Sequence, residues 1–271
     1  RSYPMVGGID VAGTVISSAS ERFAPGDEVL VTGAGLSETR DGGYAEYLRL
    51  DSAWAIPLPA GLSALDAMTI GTAGFTAALS RYRMEISGQR PEHGPIAVTG
   101  ATGGVGSVAI DILSNAGYEV HAISGKEEHF GWLAALGAEQ CISRHELEWG
   151  RKPLESARWA GAIDCVGGDM LAGLCAAIKP WGNVAACGLA GGIGLQTTVM
   201  PFIIRGVSLI GIDSPLCPYS IRAAIWPKLA GEWRPRKLEL IRNRIVGLDD
   251  LGGIFGGMLE GNSLGRIVVR M

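Results

Sequence analysis

The chain is short of the residue patterns that hold metals. Its 271 residues contain five cysteines and four histidines. There is no Cys-x-x-Cys and no His-x-x-x-His, so no metal-ligand spacing is visible. The cysteines (141, 165, 175, 187 and 217) are odd in number and widely spaced, which reads as reduced thiols in a cytoplasmic protein. Long apolar runs are also missing. Val184 to Leu189 and Val207 to Ile212 are strand-length, far below the roughly twenty residues of a membrane span. A net charge of −4 argues against the basic stripe of a nucleic-acid binder. No charged region followed by an apolar one marks a secretory signal. The opening at Arg1, without methionine and straight into Tyr3-Pro4-Met5-Val6-Gly7, reads as a chain whose N-terminal segment is missing.

Glycine is what the sequence has in quantity. Forty-one glycines, 47% hydrophobic residues and 18% charged residues suit an α/β enzyme of two interlocked domains. Residues 4 to 58 read as short strands (Ile9 to Ser17, Glu28 to Thr32, Gly43 to Leu50, Trp54 to Pro57) between turns such as Pro25-Gly26-Asp27 and Asp41-Gly42-Gly43. Ser63 to Leu79 reads as a helix. From Pro95 onward, strands near 96–100, 118–123, 139–142, 161–166, 183–187 and 207–212 alternate with helices near 105–115, 127–136, 146–156 and 169–178. That alternation predicts a doubly wound parallel sheet in the order 3-2-1-4-5-6. Residues 219–233 and 248–260 read as helices, and 265–270 as a last strand that completes the first domain. The expected division is 1–72 with 216–271, and 73–215.

The strongest motif lies between residues 96 and 126. A β-branched strand, Ile96-Ala97-Val98-Thr99-Gly100, enters Ala101-Thr102-Gly103-Gly104-Val105-Gly106, then a helix, then a second strand ending at Ser124. A tight turn lets the backbone of Thr102, Gly103, Gly104 and Val105 approach a pyrophosphate, and the helix aims free N–H groups at that anion. Gly106 allows close packing of helix on strand. The usual first glycine is Ala101 here.

The end of the second strand selects the nucleotide. Ser124-Gly125-Lys126 stands where an NAD enzyme usually places an acid on the ribose 2′-hydroxyl. A hydroxyl and an ammonium suit a 2′-phosphate, and Arg144, ending the next strand, adds a second positive charge. The expected cofactor is NADPH. Ligands in such sheets bind at the carboxyl ends of strands. That places the backbone of Cys187 with Gly188, and Ile212 with Ser214, among the contacts.

These stretches resemble the medium-chain dehydrogenase/reductase superfamily, in its zinc-free quinone-oxidoreductase branch of the acryloyl-CoA reductase type. The matching segments are 4–15 (Pro-Met-Val-Gly-Gly-Ile-Asp-Val-Ala-Gly-Thr-Val), 23–29, 41–47, 71–77 (Gly-Thr-Ala-Gly-Phe-Thr-Ala), 98–107, 185–190, 205–214 (ending Gly-Ile-Asp-Ser) and 265–269. The resemblance implies a Rossmann domain plus a mostly β GroES-like catalytic domain completed by the C-terminus. Zinc-dependent relatives carry Gly-His-Glu where this chain reads Gly8-Ile9-Asp10, so it implies hydride transfer without a metal. It implies NADPH contacts from Thr72 and Thr76, a place for Arg266 near cofactor and active site, and a place for Asp10 in the active-site cleft.

The expected reaction is hydride addition to a carbon–carbon double bond conjugated to a carbonyl. The substrate is a short acyl thioester such as acryloyl-CoA, with quinones or small enones as the alternative and a non-enzymatic nucleotide-binding relative as the rival class. Asp10 and Arg266 are the candidate catalytic residues. Tyr44 and Tyr47 read as packing residues. Arg222, Lys228, Arg234, Arg236 and Lys237 are candidates for a basic patch that meets coenzyme A, with an ordinary solvated basic face as the alternative reading. No nucleic-acid or membrane partner is expected, and a homodimer is expected through the apolar edge strand 207–212.

Overall fold

The structure is a computed structural model that describes residues 3–149 and 152–271. Its elements, in chain order, are β1 (Asp10–Thr14), β2 (Glu28–Thr32), β3 (Ile56–Pro57), α1 (Ala64–Ile86), β4 (Ile96–Thr99), α2 (Gly104–Ser114), β5 (Val120–Ser124), α3 (Phe130–Leu136), β6 (Gln140–Ser143), β7 (Trp159–Asp164), α4 (Gly168–Ala177), β8 (Ile178–Ala186), α5 (Met200–Arg205), β9 (Ser208–Gly211), α6 (Tyr219–Ala230), α7 (Leu238–Ile241), β10 (Arg242–Val246), α8 (Leu251–Leu259) and β11 (Arg266–Val269). They form two compact units: Arg1–Phe75 with Asp213–Arg234 and Leu238–Met271, and Thr76–Ile212 with Pro235–Lys237.

The second unit is built on a six-stranded sheet in the order β6-β5-β4-β7-β8-β9. All five pairings are parallel, which gives the expected 3-2-1-4-5-6 winding. Every residue of β4, β5 and β7 is buried, as strands covered on both faces require. Their apolar side chains join those of α4 and β8 in one core around Trp159, Leu174, Ile178 and Val184. Pro235–Lys237 is tied to this unit through the buried Asp111 of α2, whose Oδ2 accepts the Lys237 N–H at 2.8 Å.

The first unit holds an antiparallel sheet β1-β2-β3 and a separate parallel pair, β10-β11. The last strand therefore lies in this unit, as expected, but pairs with β10, a strand that the sequence reading missed. Arg242 and Arg266 are register partners in that pair. Both reach back to the first turns of α1: Arg242 to Asp66 at 2.6 Å and to Thr69 Oγ1 at 2.8 Å, Arg266 to the Thr69 carbonyl at 3.0 Å.

Three other elements differ from expectation. Residues 43–50 form no strand; at their start the N–H groups of Gly42, Gly43 and Tyr44 donate to the carbonyls of Val6, Gly8 and Gly7. Trp54 belongs to a short 3-10 turn, Ser52–Trp54, capped by the Asp51 side chain, and only Ile56–Pro57 is strand. The helix expected at 146–156 is absent from its described residues; residues 150 and 151 lie outside them. Pro153 would clash with a preceding helical turn, and among the described residues there the chain makes a 3-10 turn at Arg144–Glu146. Among the described residues, no helix is long and apolar enough to cross a membrane.

Candidate functional site

In the second unit the nucleotide motif takes the geometry its glycines allow. Gly100 leaves β4 at φ +59°, a left-handed conformation that suits glycine. Gly103 caps α2 in an extended conformation with no side chain on the helix N-terminus, so the first N–H groups of α2 have no capping side chain, a surface suited to an anion. A Cβ on Gly106 would fall 2.5 Å from the Gly100 carbonyl oxygen and 2.7 Å from Ala101 Cα. Helix and turn thus touch backbone to backbone. Thr102 is buried beside this turn.

At the end of β5, Ser124 is buried and its hydroxyl accepts the Lys126 N–H at 3.1 Å. The exposed Arg144 lies over Gly125, where a Cβ would meet its Nε at 2.5 Å and its Cζ at 3.0 Å. The structure thus brings Ser124, Lys126 and Arg144 together around one glycine. Burial lowers the pKa of Lys126, against the opposing charge of Glu128. The nearest acid in sequence, Glu127, accepts the Ser143 hydroxyl at 2.6 Å. Two cations and a hydroxyl fit a ribose 2′-phosphate.

Cys187 and Gly188 follow β8. The Cys187 N–H donates to the Asp164 carbonyl at 2.9 Å, and a Cβ on Gly188 would overlap the Cys165 backbone. Ile212 follows β9, its N–H donating to the Ala186 carbonyl at 3.0 Å. Thr76 is buried, its carbonyl accepting the Ser80 hydroxyl at 2.8 Å.

In the first unit, α1 is broken at Gly71, whose φ of +52° and ψ of −161° are not helical. Asp10 and Arg266 occupy the break. Asp10 Oδ1 accepts the Thr72 N–H at 2.9 Å and the Thr72 hydroxyl at 2.5 Å; Oδ2 accepts from Arg266 Nη2 at 3.4 Å. Arg266 also donates to the carbonyls of Thr69 and Met68. The carboxylate therefore caps the N-terminus of the second helical segment, and the guanidinium caps the C-terminus of the first, each matching the helix dipole it faces. Only 11% of the Asp10 side chain and 21% of the Arg266 side chain is exposed.

Sequence reasoning missed two features here. Gly71 was read only as part of a motif, although a Cβ there would sit 2.5 Å from both Arg266 Nη2 and Asp10 Oδ2. Tyr44 packs on the Val246, Leu251 and Ile254 cluster, as the sequence suggests. It also feels both charges of the break: burial first, then Asp10, raises its pKa, and Arg266 opposes them. Tyr47, by contrast, is exposed.

The basic patch is corrected at Arg222. That side chain is 2% exposed, so it presents no surface charge. It donates to the Thr32 carbonyl and hydroxyl at 2.7 Å and to the Ser214 carbonyl at 2.7 Å, and lies over the Phe75 ring. Ser214 is itself buried and is held by this contact. Lys228 is paired with Glu232 and Arg234 with Asp66.

The donors do not fit a zinc ion. Among the described residues no three His, Cys, Asp or Glu side chains converge, the Ile9 side chain offers no donor atom, and both Asp10 carboxylate oxygens are taken by Thr72 and Arg266.

Comparison with known proteins agrees with this geometry. Residues 1–60 match the alcohol dehydrogenase GroES-like domain, and residues 104–229 match the family described as zinc-binding dehydrogenase. The chain is 48% identical to the acrylyl-CoA reductase AcuI of Ruegeria pomeroyi, covering 99% of this chain and 82% of that protein. It is 47% identical to the putative quinone oxidoreductase YhfP of Bacillus subtilis, covering 100% of this chain and 82% of that one. The crystal structure of YhfP with NAD bound superposes with a TM-score of 0.97, at 46% identity over all of this chain and 83% of that one. The YhdH oxidoreductase of Salmonella enterica in complex with NADP also gives 0.97, at 46% identity and the same coverage. With its Rossmann and GroES-like parts both matched, the chain belongs to the medium-chain dehydrogenase/reductase superfamily, beside the acrylyl-CoA reductases and quinone oxidoreductases.

Proposed function

We propose that the protein is an NADPH-dependent reductase of the α,β carbon–carbon double bond of a short unsaturated acyl thioester such as acryloyl-CoA, working without a metal. The observation that carries the cofactor assignment is the cradle of Ser124, Lys126 and Arg144 around Gly125. The substrate assignment is supported by the likeness to the Ruegeria enzyme. A quinone or enone substrate is the second reading, favoured by the name of the Bacillus relative.

Bound NADPH supplies the hydride. The chain supplies position and charge. Thr102, Gly103, Gly104 and Val105 hold the pyrophosphate at the N-terminus of α2, and Ser124, Lys126 and Arg144 hold the 2′-phosphate. Thr76, Cys187, Gly188 and Ile212 of the second unit, and Thr72, Ser214 and Arg266 of the first, are the further residues that would contact the cofactor in this reading. Hydride addition to the β-carbon leaves negative charge on the carbonyl oxygen. In this reading Arg266 stabilises that charge, and Asp10 keeps the guanidinium in place. A homodimer through the β9 edge is supported by the exposed apolar side chains of Ile203, Ile204 and Leu209. A cytoplasmic setting is supported by the odd count and wide spacing of the cysteines.

The test is NADPH oxidation with acryloyl-CoA and a small quinone compared side by side, and NADH as control. Turnover of the thioester with NADPH, and at least about tenfold less with NADH, supports the first reading. Turnover of the quinone alone moves the assignment to the second. Tight NADPH binding without turnover of either leaves a nucleotide-binding protein.

A further inference from the structure

We propose that Cys165 and Cys187 form a cross-strand dithiol that peroxide converts to a disulfide, making the carboxyl ends of β7 and β8 an oxidative modification site. The two sulfurs lie 3.7 Å apart. Asp164 and Ala186 are register partners and the last residues of the neighbouring parallel strands β7 and β8, so Cys165 and Cys187 directly follow the ends of the two strands. Neighbouring strands run about 4.8 Å apart, inside the roughly 4.4–6.8 Å between Cα atoms that a disulfide spans. Closing the bond to about 2 Å therefore requires rotation about the side-chain bonds, not movement of the strands. Both cysteines are partly exposed.

The surroundings hold the pair in one arrangement. The Cys187 Sγ also donates to the Asp164 carbonyl, 3.2 Å away. The Asp164 carboxylate accepts from Thr99 Oγ1 at 2.6 Å and from the Gly167 N–H at 2.8 Å, and Thr99 Oγ1 accepts the Cys165 N–H at 3.0 Å. The contact with Cys187, followed by burial, holds the Cys165 thiol well above its ordinary pKa. In the proposed oxidation Cys187 takes the first step, as the thiolate that acts as nucleophile.

The chemistry balances with hydrogen peroxide as the named oxidant. The Cys187 thiolate attacks one peroxide oxygen; an S–O bond forms, the O–O bond breaks, and the departing hydroxide takes up a proton to become water. The Cys165 sulfur then attacks the Cys187 sulfur. An S–S bond forms, the S–O bond breaks, and the second hydroxide takes the proton that Cys165 gives up. Two thiols are oxidised and one peroxide is reduced to two waters. The loops after β7 and β8 already touch where Gly188 packs on Cys165, so a bond there fixes the backbone of Cys187 and Gly188. Its effect on turnover rests on the reductase reading; the bond itself does not.

The experiment is peptide mapping of the full chain after brief treatment with hydrogen peroxide, with free thiols blocked in denaturant. Trypsin leaves Cys165, Cys175 and Cys187 in one peptide, because Pro180 follows Lys179; chymotryptic cleavage at Leu174, Trp181 and Leu189 separates them. The expected result is a linked pair of peptides bearing Cys165 and Cys187, absent after dithiothreitol, with titratable thiols falling from five by two. NADPH turnover should fall at least about tenfold and return on reduction. Cys165→Ser should turn over normally before treatment and give no linked peptides after peroxide. Recovery of both cysteines as blocked thiols, their separate oxidation to sulfinic acids, or a link to Cys175 would overturn the proposal. An untreated enzyme without turnover overturns the reductase reading instead, and leaves the cross-link test standing.

Discussion

Asp10 and Arg266 meet inside a broken helix, with Oδ2 3.4 Å from Nη2, one capping each side of the break. The residues assigned to catalysis thereby also close the gap in α1. Their position depends on Gly71, the one residue of α1 with a non-helical conformation.

Gly71→Ala should therefore be costly. An alanine at φ +52° meets strain, and its Cβ would lie 2.5 Å from both members of the ion pair. A positive φ at this extended ψ, a region nearly confined to glycine, costs about 1–3 kcal/mol, and displacing a mostly buried ion pair adds to it. Urea unfolding should show a loss of about 2 kcal/mol or more, with turnover falling at least about tenfold. Wild-type stability and turnover in this variant would show that the break does not hold the pair.

Gly106→Ala tests the other glycine contact. Its Cβ would meet backbone, the Gly100 oxygen at 2.5 Å and Ala101 Cα at 2.7 Å, and backbone cannot rotate away. Overpacking of this kind costs about 1–3 kcal/mol. The shift of α2 from the turn should weaken NADPH binding about tenfold or more, because the anion site is the helix N-terminus itself. Calorimetric titration with NADPH reads the effect directly.

The parallel sheet was legible because buried parallel strands are continuous apolar runs and their spacing is regular, as in Ile96–Thr99 and Val120–Ser124. The cofactor cradle was legible for a related reason: Ser124 and Lys126 are neighbours in sequence, and β5 and β6 pair side by side to bring Arg144 alongside. The pairing of Asp10 with Arg266 was not legible. They are 256 positions apart, and the contact exists only because β10-β11 delivers two arginines to the first turns of α1. The burial of Arg222 escaped for a similar reason. Three of its acceptors are the carbonyls of Thr32, Ser214 and Pro215, and backbone acceptors leave no mark on a sequence.

The 2′-phosphate cradle makes a cofactor-selective prediction. Each charge-assisted hydrogen bond contributes about 1.5–3 kcal/mol, so Lys126→Ala and Arg144→Ala should each raise KM for NADPH about tenfold or more, and leave KM for NADH nearly unchanged. Burial lowers the pKa of Lys126, so the preference for NADPH should decline with rising pH beginning below the ordinary lysine range, through loss of that positive charge. In Lys126→Ala this decline should be absent. Equal losses for both cofactors would instead point to a damaged fold.

Tyr118 gives the last prediction, one of stability against pH. It is 5% exposed, and its hydroxyl lies 3.3 Å from both Glu85 Oε1 and the Gln89 carbonyl. Burial first, then the Glu85 charge, pushes its pKa from 10.0 to about 12. The folded state therefore holds the proton more tightly than the unfolded chain. Below about pH 10 the hydroxyl is protonated in both states, and the stabilisation linked to the shift is fully present. Between about pH 10 and about pH 12 the unfolded chain ionises first, and that stabilisation is lost as pH rises through the folded value. Tyr118→Phe cannot ionise. Urea unfolding at neutral pH should show the variant less stable by about 1 kcal/mol, the worth of an ordinary hydrogen bond. As pH climbs from about 9 to about 12 the difference should shrink and then change sign, since only the wild type loses stability through this residue. A difference that stays constant across that range would place the Tyr118 proton outside the folded hydrogen-bond network.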